Sequence, residues 1–250
     1  MSPLRSAGAD GSVHERPPPP APQLFPNWFR QTAIVLRKDL LIEVRTGEIT
    51  TTTGFFAALV AVTASVSLHS GPDSATRVAP AVIWLAVAFA AVLAVGKSWH
   101  RERDEGALRG LLVAPVARSA IFAGKTLSTL AFLCVVEAIV VPVVAILFSV
   151  DLVASTPPLL LIALAATPGI ALTGSLFGAM TVRTRARDLV LASVMFPLLL
   201  PTLLAAVAAT RDLFGGASLP ELLDYLMLMT VFDVVFAIGG LTMFGPLMEG

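Results

Sequence analysis

The fold class is decided by residues 78–109, VAPAVIWLAVAFAAVLAVGKSWHRERDEGALR. In this stretch an uncharged apolar segment is followed, from Lys97 on, by a segment rich in charged residues. The apolar part, up to Gly96, is close to the ~20 residues that cross the hydrocarbon core of a bilayer as a helix. Five other segments of similar length and character lie at about 49–69, 127–148, 159–180, 189–209 and 226–247. The sequence therefore predicts an all-α integral membrane protein with six transmembrane helices.

The composition indicates a membrane protein independently of the segment boundaries. Hydrophobic residues make up 56% of the chain, charged residues only 14%, and the mean hydropathy is +0.84. A soluble core cannot use so much apolar surface. The formal net charge is zero, so no broad basic field favours a nucleic-acid partner. The single cysteine, Cys134, excludes an intramolecular disulfide and is predicted to be a small buried apolar residue of the third span.

Basic residues lie almost entirely on one side of the six predicted spans. The N-terminal segment and the segment after the second span carry six each, and the segment after the fourth span carries three. The other side has only Arg77 and Arg211 of the 17 lysines and arginines. By the positive-inside rule, the N-terminus, these two basic loops and the C-terminus face the cytoplasm.

Two segments of different character precede the first span. Residues 1–26 hold seven of the 18 prolines and are predicted to be a disordered, Pro-rich cytoplasmic tail. Residues 27–48 predict an amphipathic helix that lies at the cytoplasmic membrane surface, with an ordinary packed cytosolic helix as the alternative. Residues 49–250 then form the six-span domain. The apolar stripe of the amphipathic helix consists of Phe29, Ala33, Leu36, Leu40 and Val44.

Two ionisable residues fall inside the predicted spans. Glu137 is in the middle of the third span and Asp233 is about a third of the way into the sixth. A carboxyl group in a bilayer is costly unless it meets water or a partner, so each is predicted to face the bundle interior or a polar cavity. A hydrogen-bonded packing contact between helices is an equally good interpretation. The three histidines do not suggest a built-in metal site.

Two fragments, at residues 96–98 and 124–126, resemble the end of a phosphate-binding loop. Such a loop needs a glycine five residues before its second glycine, and Ala91 and Ser119 occupy those positions. Neither fragment follows a soluble strand, and motifs of an intramembrane enzyme are missing from the sequence. We therefore expect a non-catalytic subunit that receives energy from another chain.

The loop at residues 97–126 is the informative cytoplasmic segment. Glu105 and Arg109 have the i, i+4 spacing of a helical ion pair, and Leu108 adds an apolar face. Pro115 ends this pattern. The loop is predicted to contain a short helix that seats in a groove of a soluble partner, whereas a merely solvated loop is the alternative.

At these residues the chain resembles the CcmB family, the membrane subunit of the haem-handling ABC exporter of bacterial cytochrome c maturation. The resemblance covers about residues 27–247, and it departs from the family at the long Pro-rich tail and at Arg109, where members often carry Glu. The matching segments are RVAPAVIW at 77–84, RERDEGALRGLLVAPVARSAIFAGK at 101–125, TPG at 167–169 and the proline-containing run at 190–201.

The resemblance implies an ABC-2-type permease subunit in the bacterial inner membrane that docks a cytoplasmic ATPase, CcmA. It further implies association with CcmC, CcmD and the haem chaperone CcmE, with haem as a transported or handled ligand and no firmly bound cofactor. An ABC-2 permease that exports a drug, lipid or glycan is the alternative, and a membrane scaffold is a third. The residues expected to couple the loop to the ATPase, as contacts rather than catalysts, are Arg101, Glu102, Glu105, Gly106, Leu108, Pro115 and Lys125.

Overall fold

The computed structural model describes residues 27–68, 77–104, 110, 114–181 and 187–249. Within these ranges the chain is helical and contains no strand, which confirms the predicted all-α class. The helices are α1 (Trp28–Thr46), α2 (Glu48–Leu68), α3 (Ala79–Asp104), α4 (Arg118–Phe148), α5 (Leu152–Thr181), α6 (Arg187–Phe214) and α7 (Leu219–Glu249).

Helices α2 to α7 are each long and apolar enough to cross a membrane, and each of the six predicted spans overlaps one of them. The predicted and observed helix boundaries differ most at the loop predicted at residues 97–126. Helix α3 continues past the end of its apolar part to Asp104, and α4 already begins at Arg118. Both ends of the predicted loop are thus helical extensions of spans, because charged residues such as lysine, arginine and glutamate are good helix formers whatever their hydropathy.

Helix α1 meets the first span at an abrupt junction. It is capped after Thr46 by Gly47, whose φ of 62° is the left-handed conformation that glycine adopts readily. The Gly47 N–H donates a hydrogen bond to the Glu43 carbonyl oxygen at 2.6 Å. Helix α2 begins at the next residue. The backbone N–H of Thr50 donates to Glu43 Oε1 at 2.6 Å, so that one side chain of α1 satisfies a free donor in the first turn of α2.

The face that α1 buries is polar. Gln31, Thr32, Asp39 and Glu43 pack against the spans together with Val35. The predicted apolar stripe is exposed or half-buried instead, as an interfacial helix requires. Its contact with a bilayer stays a prediction.

Helix α3 makes close contacts with α5 and α6. A Cβ atom at Gly174 would lie 2.7 Å from Val95 Cγ2, and one at Gly178 would lie 2.4 Å from Trp99 Cδ1. These two glycines therefore let α5 approach α3 closely. On another side of α3, the buried Trp84 donates its Nε1–H to Thr210 Oγ1 of α6 at 2.9 Å.

Candidate coupling site and intramembrane carboxylates

Three helices meet at the ammonium group of Lys125, which is only 2% exposed near the start of α4. Its Nζ lies 3.0 Å from Asp39 Oδ2 of α1 and 2.6 Å from Glu102 Oε1 of α3. It also lies 5.5 Å from the centroid of the Trp99 ring, within cation–π range. We call Lys38, Asp39, Glu102 and Lys125 the charge network.

Lys38 completes this network, since it contacts both carboxylates. Its Nζ lies 3.2 Å from Asp39 Oδ1 and donates a hydrogen bond to Glu102. Burial disfavours the charged form of Lys38, but the adjacent Asp39 and Glu102 carboxylates outweigh it and raise the pKa of the ammonium. Two cations thus face two anions, which is how buried charges are tolerated.

A more exposed set of ion pairs continues from the network to the junction of α1 and α2. Lys97 Nζ lies 3.0 Å from Glu48 Oε1, while the Arg101 guanidinium lies 3.5 Å from Glu48 and 3.7 Å from Glu43. The Glu48 side chain is 58% exposed, so its pairs are screened by water and contribute little. Together the three pairs connect the end of α3 to both α1 and α2.

Helix α1 also holds the segment that leads into α4. Trp28 donates its Nε1–H to Ser119 Oγ at 3.0 Å, and the backbone N–H of Ala117 donates to Gln31 Oε1 at 2.8 Å. The ends of α3 and α4 that border the predicted loop are therefore both fixed to α1.

The two intramembrane carboxyl groups lie on opposite sides of the segment Thr167-Pro168-Gly169 in α5. Thr167, which is buried, donates its hydroxyl to Glu137 Oε1 at 2.5 Å. A Cβ atom at Gly169 would clash with Asp233 Oδ1, so a larger residue there would force this carboxyl group to move. Each carboxyl group therefore lies against α5, and a functional role for either acid stays a prediction.

Glu137 also lines a groove of about 370 Å³ between α3, α4 and α5, together with Trp84, Thr167 and Cys134. Its walls are mostly apolar. Glu137 therefore makes the hydrogen-bonded helix contact of the second interpretation, and the groove beside it is apolar rather than the polar cavity of the first. The prediction that Cys134 is buried is wrong, because its side chain faces outward from α4 along this groove rather than into a neighbouring helix.

Residues 30–242 match the family model described as CcmB protein. The chain belongs to the CcmB family. Among curated relatives, heme exporter protein B of Bradyrhizobium diazoefficiens is 27% identical over 184 residues, which are 73% of this chain and 82% of the relative. Heme exporter protein B of Pseudomonas aeruginosa is 25% identical over 185 residues, 73% of this chain and 81% of the relative. The resemblance inferred from the sequence is confirmed.

The predicted coupling residues of this CcmB-family chain fall into three groups. Glu102 and Lys125 are buried in the charge network, with Arg101 at its edge, so these side chains contact α1 rather than presenting a free charged surface. Pro115 is exposed in the segment before α4. The remaining three, together with the predicted short helix around them, lie outside the described residues: Glu105, Gly106 and Leu108.

The residues that the sequence analysis missed are the polar residues of α1. Asp39 and Glu43 are spaced i, i+4 on one helical face, beside the apolar stripe, and Lys38 precedes them. This spacing was a usable signal, since two carboxylates on one helical face predict a basic partner. Only the fold shows that the partners come from the two ends of the loop at residues 97–126.

Proposed function

We propose that this CcmB-family chain is the permease subunit of a haem-exporting ABC transporter that acts in c-type cytochrome biogenesis in the bacterial inner membrane. The observation that carries the proposal is the family match over nearly the whole six-span domain. Both curated relatives named above are heme exporter protein B. Nothing in the described residues favours the export of a drug, lipid or glycan instead.

The energy for export comes from a partner ATPase, CcmA, and the other partners are CcmC, CcmD and CcmE. The two lysines that resemble phosphate-loop lysines support this division of labour. Lys125 is occupied by Asp39 and Glu102, and Lys97 is paired with Glu48. Each therefore has a structural role that needs no nucleotide. Haem is the ligand handled by the complex and is not held firmly by this subunit.

The charge network supplies a physical basis for coupling. The ATPase docks on the loop between α3 and α4, and the ends of both helices are tied to α1 through Lys125, Glu102 and Asp39. A displacement of the loop therefore moves α1, α3 and α4 together rather than one helix alone. Glu102 and Lys125 act as positioning residues, whereas Leu108 and Glu105 supply the docking contacts.

The test is to purify the tagged chain in mild detergent from cells that carry the whole maturation system, and to identify the proteins that co-purify. We expect the ATPase with the wild-type chain and with the control Arg30→Ala, on the exposed side of α1. We expect its loss with Leu108→Asp, because an unpaired charge then faces the partner's groove. Covalent haem staining of c-type cytochromes should fall in parallel while the subunit stays in the membrane.

Normal cytochrome maturation in cells that lack this chain would refute the proposed function. Retention of both the ATPase and mature cytochromes by inserted Leu108→Asp would refute the docking role of the loop alone.

A further inference from the structure

The groove beside Glu137 runs along two helices and is open on the outside of the bundle. Its lining residues recur every three or four positions, from Leu130 to Pro142 on α4 and from Thr156 to Pro168 on α5. At 1.5 Å per residue, each wall is about 18 Å long. Several wall side chains are exposed, among them Leu160 and Leu164. We call it the Glu137 groove, and its length and periodicity fit one more transmembrane helix.

The carboxyl group of Glu137 has only one of its oxygens paired. Thr167 donates a hydrogen bond to Oε1 and is the one hydrogen-bond partner of Glu137 among the described residues. The second oxygen, Oε2, is not fully buried, in contrast to the second oxygens of Glu43 and Glu102, so it faces the groove. An acid inside a membrane is costly without a partner. This oxygen therefore calls for a donor that comes from the occupant of the groove.

The position of Glu137 restricts what can supply that donor. Of the lining residues that the structure describes, none is basic. The six predicted spans contain no lysine or arginine, so the spans of a second copy of this chain cannot bring one to this depth. A lipid acyl chain would fill the apolar walls, but it carries no hydrogen-bond donor, and Glu137 is in the middle of its predicted span, away from the head groups.

We propose that the Glu137 groove seats a transmembrane helix of another membrane subunit, and that a lysine or arginine near the middle of that helix pairs with Glu137. Opposite charges inside a membrane pair with one another because each is costly alone. The small residues Ala138 and Ala163 in the walls leave room for a close helix approach. The pairing also gives specificity, since a wholly apolar helix would leave Glu137 Oε2 without a partner.

The inference rests on the proposed function only in requiring that the chain assembles with other membrane subunits. It is tested by photo-cross-linking in membranes of cells that carry the whole maturation system, with p-benzoylphenylalanine in place of Leu160 in the groove wall. We expect a cross-link to one partner, on an apolar segment that contains a lysine or arginine, located by mass spectrometry. The same probe at Leu204, exposed on α6 and outside the groove, should not give this product.

Four variants test the chemistry of the contact. Glu137→Gln keeps the shape of the side chain and should lower the cross-link yield roughly tenfold, because the partner's basic residue loses its counter-ion. Asp233→Asn, which removes the other intramembrane acid, should leave the yield unchanged. Glu137→Lys should also lower the yield, and replacing the mapped basic residue of the partner by glutamate should restore it. Ala138→Phe, at an exposed wall position, should abolish the cross-link by filling the groove, and size-exclusion chromatography shows whether each variant is folded.

A mapped partner segment without lysine or arginine would overturn the proposal, as would equal yields for the wild type and Glu137→Gln. A product of twice the mass of the chain would assign the groove to a second copy, and cross-links to lipid alone would assign it to the bilayer; each excludes the proposed partner. The cross-link is read without any cytochrome. If it forms as expected while cells that lack the chain mature their cytochromes normally, the proposed function fails and this inference stands.

Discussion

Replacing Lys125 by methionine tests the charge network most directly, because the substitution keeps an unbranched apolar side chain and removes one buried charge. Asp39 and Glu102 are then left with Lys38 as their common cation. Since Lys125 is 2% exposed, water cannot replace it. Removing one partner of such a buried pair costs about 3–5 kcal/mol.

Lys97→Met is the matched control. Lys97 belongs to the other fragment that resembles a phosphate loop, but its partner Glu48 is 58% exposed. An exposed pair of this kind contributes at most about 1 kcal/mol. The two lysine variants should therefore differ by at least about 2 kcal/mol in the free energy of unfolding, or roughly 30-fold in the unfolding equilibrium constant.

The assay is reversible unfolding of the purified chain in mixed micelles by increasing mole fractions of sodium dodecyl sulfate, followed by tryptophan fluorescence. Adding Asp39→Asn to Lys125→Met restores the charge balance and should recover more than half of the lost stability. Equal losses for Lys97→Met and Lys125→Met, or no recovery in the double variant, would refute the assignment of Lys125 to a buried charge network.

Further predictions concern topology, helix packing and nucleotide binding. In a cysteine-free background, Ser218→Cys should react with a membrane-impermeant thiol reagent in intact cells. Ala117→Cys should react only after the inner face of the membrane is opened to the reagent. The reverse pattern would contradict the predicted orientation. Gly169→Ala should lower the free energy of unfolding by about 1–3 kcal/mol through its clash with Asp233. The control Gly239→Ala should not lower the free energy of unfolding, because a Cβ atom there meets nothing within 4 Å. Equal losses for the two variants would exclude a clash between residue 169 and Asp233. The chain purified alone should show no saturable ATP binding by calorimetry. Saturable ATP binding by the wild-type chain that is lost in Lys97→Met or Lys125→Met would contradict this prediction.

The sequence predicted the spans well because the requirement for apolar residues in a bilayer acts locally along the chain. The ends of α3 and α4 were harder, since hydropathy marks where a helix leaves the hydrocarbon and not where its backbone hydrogen bonds stop. For this reason α3 continues to Asp104, beyond its apolar part.

The partners of the charged residues could not be predicted. Lys38 and Glu102 lie 64 positions apart, and Glu102 and Lys125 lie 23 apart. Their pairing depends on the rotation of three helices about their axes, which local periodicity does not determine. The same limit applies within the membrane, where Glu137 and Thr167 are 30 positions apart. Both acids were identified as costly, but their common contact with one segment of α5 appears only in the fold.

Helix α4 connects the charge network with the intramembrane carboxyl group of Glu137. Lys125 in the charge network and Glu137 in the membrane lie on this one helix, and at 1.5 Å per residue their Cα atoms are about 18 Å apart along its axis. The one proline of α4, Pro142, comes after Glu137, so the connecting part has an uninterrupted hydrogen-bond ladder. A displacement imposed at Lys125 therefore reaches Glu137 without a flexible joint. On the proposed function, ATPase movement at the loop alters the Glu137–Thr167 contact first, and any kink at Pro142 affects only the far end of the helix.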